Sequence, residues 1–267
     1  TSDMRYLLKE WGALTRRIKA GWLLLFFDFD GTLSPIVPRP AQAGLPGSTK
    51  SLLRRIAGMS SCRVAIVSGR ALEDIRKKVG LKGVVYVGNH GVQVAGPGVR
   101  HTVRLSAGYR KAIGLLRPMI AEAVRKYSGV LIEDKGCTLS VHYRRVSAGQ
   151  RRAVRNAVDR IVRSYGSGRL VRIRHGKMVV EIRPAAGWDK GSAVRWLIER
   201  WGAMDKEIGS IPLYCGDDST DEDAFRALAH KGITVVVGRR RSSAARYYLR
   251  SQDEVDELLK RIVAQRA

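Results

Sequence analysis

The chain has 267 residues, 45% hydrophobic and 27% charged, which fits a globular protein with a substantial core and excludes a disordered or fibrous chain. Lysine and arginine number 49 against 24 aspartates and glutamates, a net charge of +25, so the field favours nucleic acid, anionic surfaces or phosphorylated small molecules. No apolar run approaches the roughly 20 residues of a membrane-spanning helix, and Cys62, Cys137 and Cys215 have neither a disulfide nor a metal-ligand spacing.

Residues 3–20 read as a helix with Leu7, Leu8, Trp11, Leu14 and Ile18 on one side. This opening is amphipathic rather than a basic tip followed by an apolar stretch, so no leader is expected and a cytoplasmic location is the default. Trp22 to Phe27 is a continuous apolar run, as in a strand buried on both faces of a parallel sheet. SPIVPRPAQAGLPG is loop, and STKSLLRRIAG is a helix with a hydroxyl residue at its start. CRVAIV and GVVYVG are further strands, separated by the helix ALEDIRKKV, so the order is the α/β alternation.

From residue 105 the texture changes. Residues 106–127 form an amphipathic helix with Tyr109, Ala112, Ile113, Leu116, Ile120, Val124 and Tyr127 on its apolar side. GVLIEDKGCTLSVHYRR reads as two strands around Gly136, and SAGQRRAVRNAVDRIVRSYG as a helix with Val154, Val158, Ile161 and Tyr165 in register. GRLVRIRHGKMVVEIRP reads as a strand pair turning at Gly176. After Pro184 the first texture returns: helix DKGSAVRWLIERWG, strand IPLYCG, an acidic turn, helix AFRALAHKG, strand GITVVVG and a terminal helix. The expected fold class is α/β, a parallel-sheet core at 1–104 and 184–267 with an inserted α+β domain at 105–183 bearing an antiparallel sheet.

The apolar runs end at DFDGT, SGR, GNHG and GDDSTDED. Ligands of open α/β sheets bind at the carboxyl ends of the strands, so Asp28, Asp30, Ser68, Arg70, Asp217, Asp218 and Asp221 should converge. Several carboxylates at one point need a compensating hard cation, and Mg2+ is the usual one. Ser68, Arg70 and the main chain near Gly31 and Thr32 would donate to a phosphate, one aspartate would attack phosphorus, and another two residues on would move protons. Ser68 also has a plainer reading as a helix cap, and Glu222 and Asp223 read as helix-start charges. His142 and His175 have no nameable partner and read as structural or solvated.

DFDGT, the serine of SGR, a lysine and GDDSTDED, in that order, resemble the four motifs of the haloacid dehalogenase superfamily of phosphohydrolases. The resemblance implies that Asp28 is the nucleophile, Asp30 the general acid and base, and Lys190 the motif lysine. It implies Mg2+ held by Asp28, Asp30 (through its carbonyl) and Asp217, with Asp221 behind them or acting through a water and Asp218 in either part, and with Ser68, Gly69, Arg70 and Thr32 on the phosphate. The insertion lies where the type IIB caps of the superfamily sit.

DFDGTLSPIVPRP, VSGR, GNHG, EDKGCTLSVHYR, GKMVVEIRP, WDKG and GDDSTDEDAF together resemble the trehalose-6-phosphate phosphatase family. This implies hydrolysis of trehalose 6-phosphate to trehalose and phosphate, with Glu133, Lys135, Lys177, Glu181, Asn89 and His90 on the sugar and the cap closing over it. In extended strands Glu133 and Lys135 share a face, as do Lys177, Val179, Glu181 and Arg183, while Met178, Val180 and Ile182 suit the helix side. Gln93 departs from the family pattern, which has an acid there. The readings left open are another sugar-phosphate phosphatase, for sucrose phosphate or mannosylglycerate phosphate, and a nucleic-acid-binding protein on an inactive fold. From Arg144 to Lys177 there are ten arginines and one lysine against one acid, Asp159, yet no reader motif, so no specific nucleic acid and no membrane are expected as partners. The first helix either packs on the core or meets a partner such as a trehalose-6-phosphate synthase.

Overall fold

The computed structural model describes residues 4–165, 169–185, 187–205, 209–238 and 242–266. Asp3, where the predicted first helix starts, and Gly166 and Gly168, at the edges of two predicted elements, lie outside them. The chain divides into two compact units, Thr1–Thr102 with Asp189–Ala267, and Val103–Trp188. The larger begins with β1 (Arg5–Tyr6), α1 (Leu7–Lys19), β2 (Trp22–Asp28), α2 (Gly47–Ala57), β3 (Cys62–Val67), α3 (Leu72–Val79), β4 (Val85–Gly88), β5 (Gln93–Gly96) and β6 (Val99–Thr102). The smaller holds α4 (Ala107–Val124), β7 (Leu131–Asp134), β8 (Leu139–His142), α5 (Ala148–Ser164), β9 (Val171–Gly176) and β10 (Val179–Pro184). The larger resumes with α6 (Lys190–Asp205), β11 (Ser210–Gly216), α7 (Glu222–Leu228), β12 (Ile233–Val237), β13 (Tyr247–Leu249) and α8 (Asp253–Arg266).

The larger unit's sheet has nine strands in the order β1-β13-β12-β11-β2-β3-β4-β5-β6. From β1 to β4 every pairing is parallel, and β2 lies between β11 and β3. Leu23, Leu25 and Phe27 of β2 join a core with Leu7, Trp11, Leu14 and Ile18 of α1, Leu53 and Ile56 of α2, and Leu258, Leu259 and Ile262 of α8. Phe26 points the other way and stacks on Trp201 of α6 at 5.4 Å. Burial on both faces explains why the strand reads as an unbroken apolar run. It also leaves Asp28 at the sheet edge where β3, β4 and β11 end.

Local chemistry moves some boundaries. The first helix starts at Leu7, because Arg5 and Tyr6 pair in parallel with Tyr247 and Tyr248. Pro46 caps α2, and the Ser48 and Thr49 hydroxyls donate instead to Asp256 on α8, at 2.8 and 2.6 Å. Strands β5 and β6 form an antiparallel hairpin on the β4 edge, so the sheet is parallel with an antiparallel margin. Among the described residues no helix is long and apolar enough to cross a membrane.

In the smaller unit the sheet order is β7-β8-β10-β9, all antiparallel. Ser106 caps α4 by accepting from Tyr109 N at 3.1 Å. Ile113, Leu116 and Ile120 of α4 and Val154, Val158 and Val162 of α5 pack with Leu139, Val141, Val180 and Ile182. The β9–β10 turn is Lys177–Met178 rather than Gly176, since Gly176 pairs with Val179. Met178 takes a left-handed φ of 64° and is exposed, so it does not join Val180 and Ile182 against the helices.

Candidate active site

Asp28, Asp217 and Asp221 are 5%, 2% and 0% exposed, and one carboxylate oxygen from each lies within 4.8 Å of the others. The Asp218 and Asp30 carboxylates are outside this group. Lys190, the first residue of α6, donates to Asp28 Oδ1 at 2.6 Å and Asp221 Oδ1 at 2.8 Å. The Tyr214 hydroxyl donates to Asp221 Oδ1 at 2.7 Å, and Asp218 N to Asp221 Oδ2 at 2.8 Å. Three glycines make this packing feasible. A Cβ would fall 2.2 Å from Asp217 Oδ2 at Gly31, where φ is +89°, 2.4 Å from Asp221 Cγ at Gly216, and 2.1 Å from His90 Cε1 at Gly69.

The electrostatics are lopsided. Burial pushes the Asp28 carboxyl well above the usual range; Lys190 pulls it back, while Asp221 and Asp217 push it further up. Burial works against the Lys190 charge, but Asp221 and Asp28 outweigh it and hold the ammonium above its ordinary pKa. Burial also raises Tyr214, keeping its phenol a donor. Lys190 pairs with two of the three buried carboxylates, and the oxygen donor set of the three suits a hard divalent ion. Thr32 adds a fully buried hydroxyl that has no hydrogen-bond partner among the described residues.

Asp30 sits in a tight turn, where Gly31 N donates to Ser34 O at 2.7 Å. Its carboxylate accepts both arms of an Arg70 fork, Nε at 2.7 Å and Nη2 at 2.6 Å, while Arg70 Nη1 donates to Asp74 at 2.8 Å. Burial disfavours the Arg70 charge, but Asp30 and Asp74 outweigh it and raise the pKa. Ser68 is buried and its Oγ accepts from Arg70 N at 3.1 Å; Ala71, not Ser68, caps α3. Asn89 and His90 are buried with positive φ, His90 N donating to Ser68 O and Asn89 N to Arg70 O. Gln93 accepts from Asn89 Nδ2 at 2.7 Å, so an uncharged acceptor orients that asparagine. Glu222, read as a helix-start charge, accepts from Ser243 Oγ and Ala244 N.

In the smaller unit, strand register places Glu133, Ser140, Glu181 and Arg174 in one row across the sheet. Lys135 Nζ lies 3.9 Å from both the Glu133 and Glu181 carboxylates, and Arg183 pairs with Glu181. Lys177 lies in the exposed turn, with its carbonyl accepting from Arg144 at 3.1 Å. The two histidines read as unpartnered have partners: His142 Nε2 lies 2.9 Å from Glu133 and His175 Nε2 3.4 Å from Asp159. Tyr214 was missed from sequence, although a phenol inside a buried strand signals a polar partner.

A sequence model of the trehalose-phosphatase family matches residues 26–253. The chain belongs to the trehalose-phosphatase family. It is 36% identical over 264 residues to the trehalose-phosphate phosphatase of Mycobacterium leprae, covering 94% of this chain and 60% of that one. A protein of Oryza sativa named probable trehalose-phosphate phosphatase 9 is 35% identical over 282 residues, covering 96% and 74%. The chain spans 18% to 61% of the length of the first curated relatives it matches. Among solved structures, the C-terminal domain of the Candida albicans trehalose-6-phosphate phosphatase superposes with TM-score 0.87 at 24% identity, covering 99% of each chain, which establishes the fold. A trehalose-6-phosphate phosphatase related protein superposes with TM-score 0.71 at 26% identity, covering 90% of this chain and 97% of that one.

Proposed function

We propose that this chain hydrolyses trehalose 6-phosphate to trehalose and inorganic phosphate, with Mg2+ as cofactor. The observation that carries the reading is the buried group of Asp28, Asp217 and Asp221, with Lys190 on the first and last, in a chain of this family. Asp28, Asp217 and Asp221 would hold Mg2+, with the Asp30 carbonyl and Asp218 completing the set, and the ion would neutralise phosphoryl charge. Lys190 holds Asp28 Oδ1, leaving Oδ2 to attack phosphorus. The bond from phosphorus to the sugar oxygen breaks as Asp30 gives that oxygen a proton, forming an aspartyl phosphate on Asp28. Asp30 then takes a proton from water, whose oxygen displaces Asp28 and releases phosphate. Acting so requires the Asp30 carboxyl to exchange the Arg70 fork for the ester oxygen.

Thr32, Ser68, Gly69 and Arg70 bind the phosphate in this reading, and the buried unpartnered Thr32 hydroxyl supports it. Glu133, Lys135, Lys177 and Glu181, with Asn89 and His90, bind the sugar; carboxylates and amines together satisfy hydroxyls, which donate and accept. The insertion acts as the recognition cap of a core made from the flanking segments. Phosphate release from trehalose 6-phosphate, beside sucrose 6-phosphate and mannosylglycerate phosphate, with and without Mg2+, tests the assignment. Preferential, Mg2+-dependent release from trehalose 6-phosphate is expected; equal or greater release from another sugar phosphate overturns the substrate.

A further inference from the structure

Ser140 lies at the centre of β8, opposite Glu133 on one side and Glu181 on the other. Directly opposed residues share a sheet face with Cβ atoms roughly 5 Å apart. Lys135 bridges toward both glutamates, confirming that the two carboxylates border one space. The serine side chain is the shortest in that row, so its hydroxyl lies beneath the ends of two longer acids. Ser140 is 0% exposed, and its Oγ has no hydrogen-bond partner among the described residues. A buried hydroxyl left unsatisfied is a cost that an apolar residue would avoid. A β-branched apolar residue would also suit the strand better.

We infer that Ser140 is a further substrate-binding residue, bonding a sugar hydroxyl that enters between Glu133 and Glu181. This rests on the reading above that those glutamates bind the sugar. A hydroxyl offers one donor and two acceptor sites, so Ser140 can donate to the incoming oxygen while that oxygen donates to a flanking carboxylate. The row would then select sugars with a hydroxyl at that position and discriminate against deoxy analogues, whose binding leaves the polar floor unmet.

The test measures kcat and KM of the full chain, Ser140→Ala and Ser140→Thr on trehalose 6-phosphate and its monodeoxy analogues, with thermal melts alongside. Ser140→Ala should raise KM roughly 5- to 10-fold, the worth of one neutral hydrogen bond, while kcat stays within about two-fold. Its Tm should hold or rise, since an unmet hydroxyl has been removed. Ser140→Thr, which keeps the hydroxyl, should recover most of the KM. For one deoxy analogue Ser140→Ala should cause no further loss, identifying the partner hydroxyl. An unchanged KM overturns the inference, as does a lowered Tm without a KM effect, which would mark Ser140 as a packing residue. If the wild type prefers another sugar phosphate, the trehalose reading fails separately, and the same comparison on that substrate still decides the role of Ser140.

Discussion

The two units handle buried charge in opposite ways. In the larger one, three carboxylates lie together with Lys190 on two of them, and burial drives Asp28 toward its protonated form. In the smaller one, Glu133 and Glu181 are matched by Lys135, Arg183 and His142. A buried cluster of carboxylates favours added positive charge, as expected where a cation and a phosphoryl group are to be bound. A balanced polar face needs no ion and suits a ligand rich in neutral hydroxyls. Under the proposed function, the difference fits chemistry in one unit and recognition in the other. Substitutions in the first should therefore act on kcat, and those in the second on KM.

The sharpest attempt to break that division is Asp28→Asn. The amide is a poor nucleophile, and turnover should fall by about 10^4-fold or more, as for loss of a catalytic nucleophile. Residual turnover within about 100-fold of wild type would remove Asp28 from its role. Chelation comes next: treatment with EDTA should abolish phosphate release and Mg2+ should restore it. The same imbalance gives a pH signature. The folded pKa of Asp28 is raised, so its contribution to stability is fully present below the unfolded value of about 3.9 and is lost as pH rises through the folded pKa. Mg2+ should therefore raise Tm more at pH 7.5 than at pH 5. An equal rise at both values counts against a cation seated on these carboxylates.

Backbone space provides the third test. Gly31→Ala places a methyl within 2.2 Å of Asp217 Oδ2 at a left-handed position, so the Asp217 carboxylate has to move. A loss of about 100-fold in kcat, with a weaker Mg2+ requirement curve, is expected from a misplacement of that size. Gly136→Ala, in the smaller unit, has a φ of +74° but open space around it, and should cost only backbone strain. Equal kcat losses in the two variants would erase the distinction between the units.

Much of the larger unit was legible because a strand buried on both faces leaves an uninterrupted apolar run, and four such runs ended in chemically marked loops. The β5–β6 hairpin was not legible: its strands are four residues each, around Pro97 and Gly98, and form by extending the β4 edge. Asp28, Asp217, Asp221 and Lys190 were readable as types at strand and helix ends. That Lys190 bridges Asp28 and Asp221 depends on tertiary placement. Arg70 was read as a phosphate donor, and here its fork grips Asp30 and Asp74, a competition among nearby acids that spacing does not reveal. The histidine pairings of the smaller unit were invisible for the same reason, since Glu133 and Asp159 reach them only once strands and helix are packed.

On the recognition side, Glu133→Gln keeps shape and acceptor but removes the charge beside His142 and Lys135. KM should rise roughly 10-fold, within the range for a hydrogen bond to a charged group, with kcat nearly unchanged. A matching fall in kcat would place Glu133 in the chemical step and dissolve the contrast.

The smallest expected effect probes the chemical unit behind Asp221. Tyr214→Phe preserves the edge-on contact with Phe225, whose ring centroid lies 5.7 Å away, and deletes only the donor to Asp221 Oδ1. That oxygen keeps Lys190 at 2.8 Å, and Oδ2 keeps Asp218 N at 2.8 Å, so Asp221 stays in place with its negative charge less satisfied. A less satisfied carboxylate pulls harder on Lys190, loosening the ammonium from Asp28 Oδ1 and freeing the nucleophile to rotate. kcat should drop by about 3- to 10-fold, the worth of one hydrogen bond, while KM is unmoved because the phenol touches nothing that binds sugar. Mg2+ affinity measured alongside should shift by a similar factor or less. A change confined to KM would mean that charge balance around Asp221 governs binding rather than turnover, and that the two units are not divided by task.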